Sequence, residues 1–228
     1  MKMCLPDSFN FRSHKIYNAS NRHGYMIKMT NIIKLPDQQT DSNFPLMKAL
    51  AIRRSIRKWK KVPLSSQEIS NLLWAWCGIT QKQTNRIKSK RTAPSACNSQ
   101  EIKIYIALKN GIFRYDENNH NLMLISSKDI RKHIGTQKMM HSAPVGLIYV
   151  SDYSKLSSFL FTNDDRRWFI SCTDAGFISQ NIYLYCDAAG LSTVIISFVD
   201  RNKLHNLVGL KECERVVYSQ VVGKSIDI

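Results

Sequence analysis

Two segments carry residues whose types and spacing suit a polar, planar ligand. Arg53-Arg54-Ser55-Ile56-Arg57 places three guanidiniums and a hydroxyl within five residues, directly after a stretch that reads as a helix. Guanidinium forks match phosphate oxygens two at a time and a serine hydroxyl adds a donor, which makes this a candidate anion-binding corner. A solvated basic turn satisfies the same spacing. The second segment, Arg91 to Glu101, is a run of small residues and amides with Pro94, Ser95, Ala96, Cys97 and Asn98 at its centre. Small side chains let a flat ring approach the backbone, and Asn98 and Gln100 can donate to and accept from the edges of a heterocycle. Taken alone, this segment also reads as an ordinary loop.

Other reactive residue types fall into plainer readings. His120, His133 and His141 have no mutual spacing that makes a metal site, so no metal is expected. Asp164-Asp165 beside Arg166-Arg167 reads as a solvated, salt-bridging turn, and Trp168, Phe169 and the Met139-Met140 pair read as packing residues.

The elements that must position the two segments follow from periodicity. Pro45 to Ile52, with Leu46, Leu50 and Ala51 on one face, predicts a helix leading into the arginines. Ser65-Ser66-Gln67-Glu68 has the capping-box pattern, so a helix runs from Ser66 to Cys77 and stops at Gly78. Glu101 to Leu108 alternates as a strand, Lys109-Asn110-Gly111 turns, Gly111 to Tyr115 returns, and Leu122 to Ile125 adds a further short run. Asp129 to Met140 is predicted helical and Pro144 to Val150 is a continuous apolar strand. The strongest helix spans Asp174 to Ala189, with Ala175, Ile178, Ile182, Tyr185 and Ala189 in one stripe, widened by Phe177 and Leu184; it should be buried in the domain or against a second subunit. Leu191 to Val199 is β-rich, Asp200 caps a short helix to Val208, and Arg215 to Val222 is a last strand. An early hairpin among alternating elements makes the fold α+β rather than a repeating βαβ wind.

Composition sets the frame. The 228 residues carry 33 Lys+Arg against 17 Asp+Glu, a net charge of +16, with an ordinary 43% hydrophobic fraction. We expect residues 1–30 to be a poorly ordered extension and 31–228 to form one domain. No apolar run reaches the length of a membrane span, and the first 30 residues lack a secretory h-region, which disfavours membrane and exported classes. The six cysteines lack Cys-x-x-Cys pairs and sit largely among apolar neighbours, pointing to reduced thiols and a cytoplasmic setting. The positive charge would attract an anion, but zinc-finger spacing, RNP-like strands and basic heptads are absent, which disfavours nucleic acid.

The ordered set of Arg53 to Arg57, Leu72-Leu73-Trp74-Ala75, Arg91 to Glu101, Asp174-Ala175-Gly176 with Gln180-Asn181, Gly190 to Val194, and Val222-Gly223 resembles the FMN-dependent nitroreductase family. The resemblance covers roughly residues 45–224 and is closest to the branch that contains azoline oxidases of peptide-toxin biosynthesis. After the Pro-Ser-Ala core, however, this chain has Asn98-Ser99-Gln100 rather than an aromatic and a proline, which is closer to the general nitroreductases.

The resemblance implies a central, mostly antiparallel sheet flanked by helices, a long buried helix at a homodimer interface, and FMN bound between subunits. Arg53, Ser55 and Arg57 match positions that hold the flavin phosphate, ribityl chain and pyrimidine edge, and Arg54 contributes between them. Pro94, Ser95, Ala96, Cys97 and Asn98 match a loop that meets the isoalloxazine from the other subunit, and Gln137 stands where relatives place an amide near the flavin. Ile195, Ile196 and Ser197 match the segment whose backbone faces N5; relatives commonly have glycine there, so a bulkier wall is expected. Lys224 stands in for basic ligands on the longer tail of some relatives.

By the same resemblance, NAD(P)H delivers hydride to N5, leaves, and is replaced by a nitroaromatic, quinone or similar acceptor in a ping-pong cycle. The flavin carries the chemistry, and Arg57 is expected to stabilise its anionic reduced form. Two alternatives stay open at this point: a basic, non-enzymatic module for an anionic partner, and a flavin-binding family member without turnover.

Overall fold

The computed structural model describes residues 32–156 and 163–226, so the expected extension over 1–30, Cys4 and the side chain of Met139 lie outside the described residues. The capping box forms as the sequence predicts. Ser65 Oγ accepts from the Glu68 N–H at 3.2 Å, and a Glu68 carboxylate oxygen accepts from the Ser65 N–H at 2.6 Å, opening helix α2 (Ser66–Cys77). Ile69, Leu72, Leu73 and Trp76 point from it into the core. Gly78 ends the helix through close approach rather than a left-handed turn, because a Cβ there would stand 2.2 Å from the Trp74 ring.

A seven-stranded sheet takes the order β1 (Ile32–Lys34), β6 (Asn121–Ser126), β5 (Gly111–Asp116), β4 (Ile102–Leu108), β7 (Val145–Asp152), β9 (Glu214–Lys224), β8 (Leu191–Ile196), with every pairing antiparallel. Its short first strand lies two residues before Pro36. A second, two-stranded pair joins β2 (Ile79–Gln81) to β3 (Lys90–Arg91). The alternation in β4 separates two cores: Ile102, Ile104, Ile106 and Leu108 pack toward α2 and the long helix, while Tyr105 and Ala107 pack with Trp59, Ile134 and Leu204 on the other face. With both faces covered, all eight residues of β7 are buried, as a continuous apolar run demands.

Two expectations are corrected. First, Asp129 to Met140 is not a helix but two 3₁₀ turns, Arg131–His133 and Lys138–Ser142. The Asp129 side chain accepts from the Arg131 N–H, a local bond that competes with helix, and the Thr136 N–H turns away to the Phe198 carbonyl at 3.3 Å. Second, the long helix α3 (Asp164–Ala188) begins ten residues before Asp174. The Asp-Asp-Arg-Arg run is its first turn: Asn163 caps the Arg166 N–H at 2.8 Å, the two aspartates suit the positive helix end, and Arg167 pairs with Asp164 at 3.0 Å. Helix α1 (Leu46–Ile52) forms where the sequence predicts it; it buries Ala49 and exposes Leu46, Met47, Leu50, Ala51 and Ile52.

Helix α4 (Arg201–Val208) starts at the Asp200 cap and ends on left-handed Gly209. Cys77, Cys97, Cys172, Cys186 and Cys213 are free thiols. Among the described residues no helix is long and apolar enough to cross a membrane.

Candidate functional site

The five residues Arg53 to Arg57 leave α1 and run along the β8–β9 edge. The Ile56 N–H donates to the Thr193 carbonyl at 3.0 Å, and further on the Lys60 N–H donates to the Lys224 carbonyl at 2.9 Å. Between these bonds Trp59 is buried against Gly223, where a Cβ would lie 2.7 Å from that of Trp59. The strap is therefore fixed by main chain and one indole, which leaves the neighbouring polar side chains outside.

Tyr183 of α3 ties this edge together. Its hydroxyl accepts from the Ile195 N–H at 3.0 Å and shares a 3.0 Å hydrogen bond with Ser55 Oγ. The Arg53 guanidinium lies over its ring at 5.3 Å, within cation–π range. Arg54 donates to the Arg53 carbonyl at 2.9 Å, and Arg57 is exposed. Arg53, Arg54 and Arg57 form no ion pair among the described residues. Burial pushes the Asp187 carboxyl up while Arg53 and Arg54 pull against it. Lys224 sits at the same edge with its ammonium 3.2 Å from a Glu68 oxygen, half-exposed.

The second segment is built differently. Ala96–Asn98 forms a 3₁₀ turn in which Cys97 and Asn98 both have φ of 51°, and Gln100 follows at 53°. Three non-glycine residues in the left-handed region persist only where surroundings hold them. Here the Ala96 N–H donates to Asp174 Oδ2 at 2.9 Å, Lys88 and Lys155 donate to the Asn98 and Gln100 carbonyls at 2.8 Å each, and the Gln100 N–H donates to Ser95 Oγ at 3.0 Å. The Asn98 amide donates to the Ser89 carbonyl and Gln100 bonds both Ser89 and Asn98. These two amides, expected to face a ligand, are engaged in holding the loop.

Of the remaining predicted residues, Gln137 is exposed and starts the 3₁₀ turn at Lys138, beside Thr136, whose N–H reaches Phe198. It therefore lies next to the end of β8, together with Ile195, Ile196 and Ser197. The Ile196 side chain points into the second core, 4% exposed, so in this segment bulk on the open side comes from Ile195 and from Phe198, which is 72% exposed.

Sequence reasoning missed Tyr183, Asp174 and Glu101 as site residues. An available signal was Asp174 itself, a carboxylate adjoining the apolar stripe of Ala175 and Ile178, where burial demands a partner. Asp174 and Glu101 are 3% and 0% exposed, and burial with the neighbouring Glu101 pushes the Asp174 carboxyl up to about 7.

The Ser55 and Ala96 contacts meet α3 at separate points, although Asn181, two positions before Tyr183, also donates to the Thr92 carbonyl of the second segment at 3.3 Å. Tyr183 and Asp174 are nine positions apart on α3, roughly 14 Å along its axis and about half a turn around it.

Comparison with known proteins fits this picture. The Nitroreductase family model matches residues 50–224. A curated nitroreductase of Methanocaldococcus jannaschii is 25% identical over 205 residues, 86% of this chain and 97% of its own. A nitroreductase crystal structure from Ralstonia eutropha superposes with a TM-score of 0.78 at 32% identity, covering 86% of this chain and 90% of that one. An NADPH:FMN oxidoreductase of Vibrio harveyi, complexed with NAD+, shares the fold with a TM-score of 0.56 at 19% identity over 80% of this chain and 69% of that one. The chain belongs to the nitroreductase family.

Proposed function

We propose that the protein is an FMN-dependent oxidoreductase that works as a homodimer, takes electrons from NADH or NADPH, and passes them to a nitroaromatic, a quinone or a similar small acceptor. The observation that carries this reading is the basic edge, where Arg53, Arg54 and Arg57, with no ion pair among the described residues, share a fixed backbone with Ser55, whose hydroxyl meets that of Tyr183. That donor set fits FMN: guanidiniums suit its phosphate, and hydroxyls suit its ribityl chain. The Vibrio harveyi relative, an NADPH:FMN oxidoreductase, supports the same cofactor pair.

A second copy of the chain completes the site in this reading. Tyr183 and Asp174, which hold Ser55 and Ala96, lie about half a turn apart on α3, and in this reading the Pro94–Asn98 loop of one subunit meets the Arg53–Arg57 edge of its partner. Exposed apolar residues support such a dimer: Leu46, Met47, Leu50 and Ile52 on α1, and Phe169 and Phe177 on α3. Faces of this kind are common where subunits associate.

Bound FMN supplies two-electron chemistry between the nicotinamide donor and the acceptor. The chain's own residues bind and orient. Arg53, Arg54, Ser55 and Lys224 hold the phosphate and ribityl chain, and Arg57 at the pyrimidine edge favours the negative charge that reduction adds. The Pro94–Asn98 backbone packs on the ring from the other subunit. Gln137 and the backbone of Ile195, Ile196 and Ser197 line its reactive edge.

The test is direct. The purified protein should be yellow, release about one FMN per subunit on heating, bleach when NADPH is added without oxygen, and regain colour with a quinone. A colourless protein that also fails to bind added FMN would overturn the reading, and a flavoprotein that NADH and NADPH both fail to bleach would overturn its turnover.

A further inference from the structure

Behind the Pro94–Asn98 loop, two carboxyl groups face each other in the interior. Asp174 of α3 and Glu101, the residue that leads into β4, line the same small cavity, and their side chains interact. Each has a donor on one oxygen: the Ala96 N–H donates to Asp174 Oδ2 at 2.9 Å, and Ser99 Oγ donates to Glu101 Oε2 at 2.6 Å. Glu101 Oε1, fully buried, has no hydrogen-bond partner among the described residues. Two ionised carboxylates placed this way repel each other in a medium that screens poorly, and neither can donate. A proton on one supplies the missing donor and removes the repulsion.

We propose that Asp174 and Glu101 hold one proton between them, and that this shared proton positions the Pro94–Asn98 loop. Asp174 is then a positioning residue: it touches the loop through the Ala96 N–H. The inference deepens the cofactor reading above and rests on it for the consequence that FMN affinity follows the proton.

The charged surroundings are few. Arg91 of β3 lines the small cavity beside the pair but is ion-paired to Glu117, in the turn between β5 and β6. Lys155, after β7, donates its ammonium proton to the Gln100 carbonyl, and Cys77, at the end of α2, is held neutral by burial with its thiol pushed up to about 12. On α3 itself, one turn to either side of Asp174, stand uncharged Ile170, Ser171, Phe177 and Ile178.

The direction of the pH effect follows from linkage. In the closed loop Asp174 keeps its proton up to about pH 7, whereas in an opened loop the solvated carboxyl loses it near 3.8. Rising pH therefore favours opening between these values, and the effect levels off above about 7. Left-handed Cys97, Asn98 and Gln100 would relax once the Ala96 bond is lost.

Hydrogen exchange of peptides spanning 94–101 tests this in the full chain, taken at each pH as the ratio of wild type to Asp174→Asn so that intrinsic exchange cancels. The asparagine keeps an acceptor for Ala96 and a donor for Glu101 but cannot ionise. The ratio should climb with pH by up to about tenfold per unit as pH approaches 7 and then flatten. Glu101→Gln, which donates to Asp174 and removes the like charge, should lose this climb and serves if Asp174→Asn fails to fold. A ratio independent of pH between about 5 and 8 overturns the shared proton. FMN titration over the same range separates the two claims: affinity should weaken alongside the exchange ratio. Exchange that responds while FMN affinity stays flat would place the loop away from the cofactor and overturn that part of the site.

Discussion

The two segments that frame the site are held in opposite ways. Arg53 to Arg57 is fixed by main chain, through Ile56 on Thr193 and Lys60 on Lys224, with Trp59 wedged against Gly223. Its guanidiniums are consequently left without ion pairs among the described residues. The Pro94–Asn98 loop has unfavourable backbone angles and uses its polar groups internally, with Asp174, Lys88, Lys155 and Ser89 all bonded to it or to Gln100. One segment offers charge on a rigid rail, and the other offers shape on a braced loop. In family terms, the first reads as the anchor for a charged ligand tail and the second as a wall for a flat ring.

The rail is where the largest loss is expected. Gly223→Val drives a side chain into Trp59 and Pro144, which lie 2.7 to 3.0 Å from the first added carbon. It should destabilise the fold by about 1–3 kcal/mol and release bound FMN, read together as a lower Tm and a colourless eluate. A stable, yellow Gly223→Val protein would show that the strap is not what fixes the anchor.

Arg57→Ala should leave Tm nearly unchanged, because Arg57 is exposed, while weakening FMN binding by about 10- to 100-fold, the worth of a charge-assisted hydrogen bond. The flavin midpoint potential should also become more negative. An unchanged potential would remove the role assigned to Arg57. Tyr183→Phe deletes the hydroxyl shared by Ser55 and the Ile195 N–H, and should cost about 1 kcal/mol, with a several-fold weaker FMN affinity.

The smallest effect varies with pH only in acid and is opposite in sign to that of Asp174. Burial pushes the Asp152 carboxyl up, but hydrogen bonds from Lys103 and Ser154 outweigh it and hold the carboxyl down at about 2. Its folded-state value is depressed, so its contribution is present above about 3.8 and is lost as pH falls toward 2. Asp174, whose folded value is raised, contributes in the other direction. Relative to strong acid, the Tm of Asp152→Asn should therefore fall below wild type as pH rises from about 2 to 3.8 and stay below it, whereas that of Asp174→Asn should rise above wild type as pH rises from about 3.8 to 7.

Much of the scaffold is legible in the sequence because its signals are local. The Ser65–Glu68 box, the Lys109-Asn110 turn, the apolar run of β7 and the Asp200 cap each depend on a few neighbouring residues. What escaped was decided at a distance. The pull of Phe198 on Thr136 and the close approach of Ile196 to Gly135 divert residues 129–140 from the helix their pattern predicts. The first turn of α3 looks polar because Asp164, Asp165 and Arg166 are exposed, and only the Asn163 cap reveals it as helix. The site divides along the same line. The arginine run shows in residue types alone, whereas Tyr183 and the Asp174–Glu101 pair matter through contacts across 128 and 78 positions, from Ser55 to Tyr183 and from Ala96 to Asp174.

The central claim is that rail and loop form one site only across two subunits. Mixed dimers test it most directly. Arg57→Ala damages the rail and Ala96→Trp fills the loop wall, so each homodimer should bind FMN weakly. If the site is shared, a dimer carrying one of each has one pocket with both lesions and one with neither. Unfolding and refolding the two variants together should then restore wild-type affinity in about half the sites of the mixed species, measured by FMN fluorescence quenching on the isolated heterodimer. Mixed dimers with no high-affinity site would mean that each pocket is built from a single chain, contradicting the account.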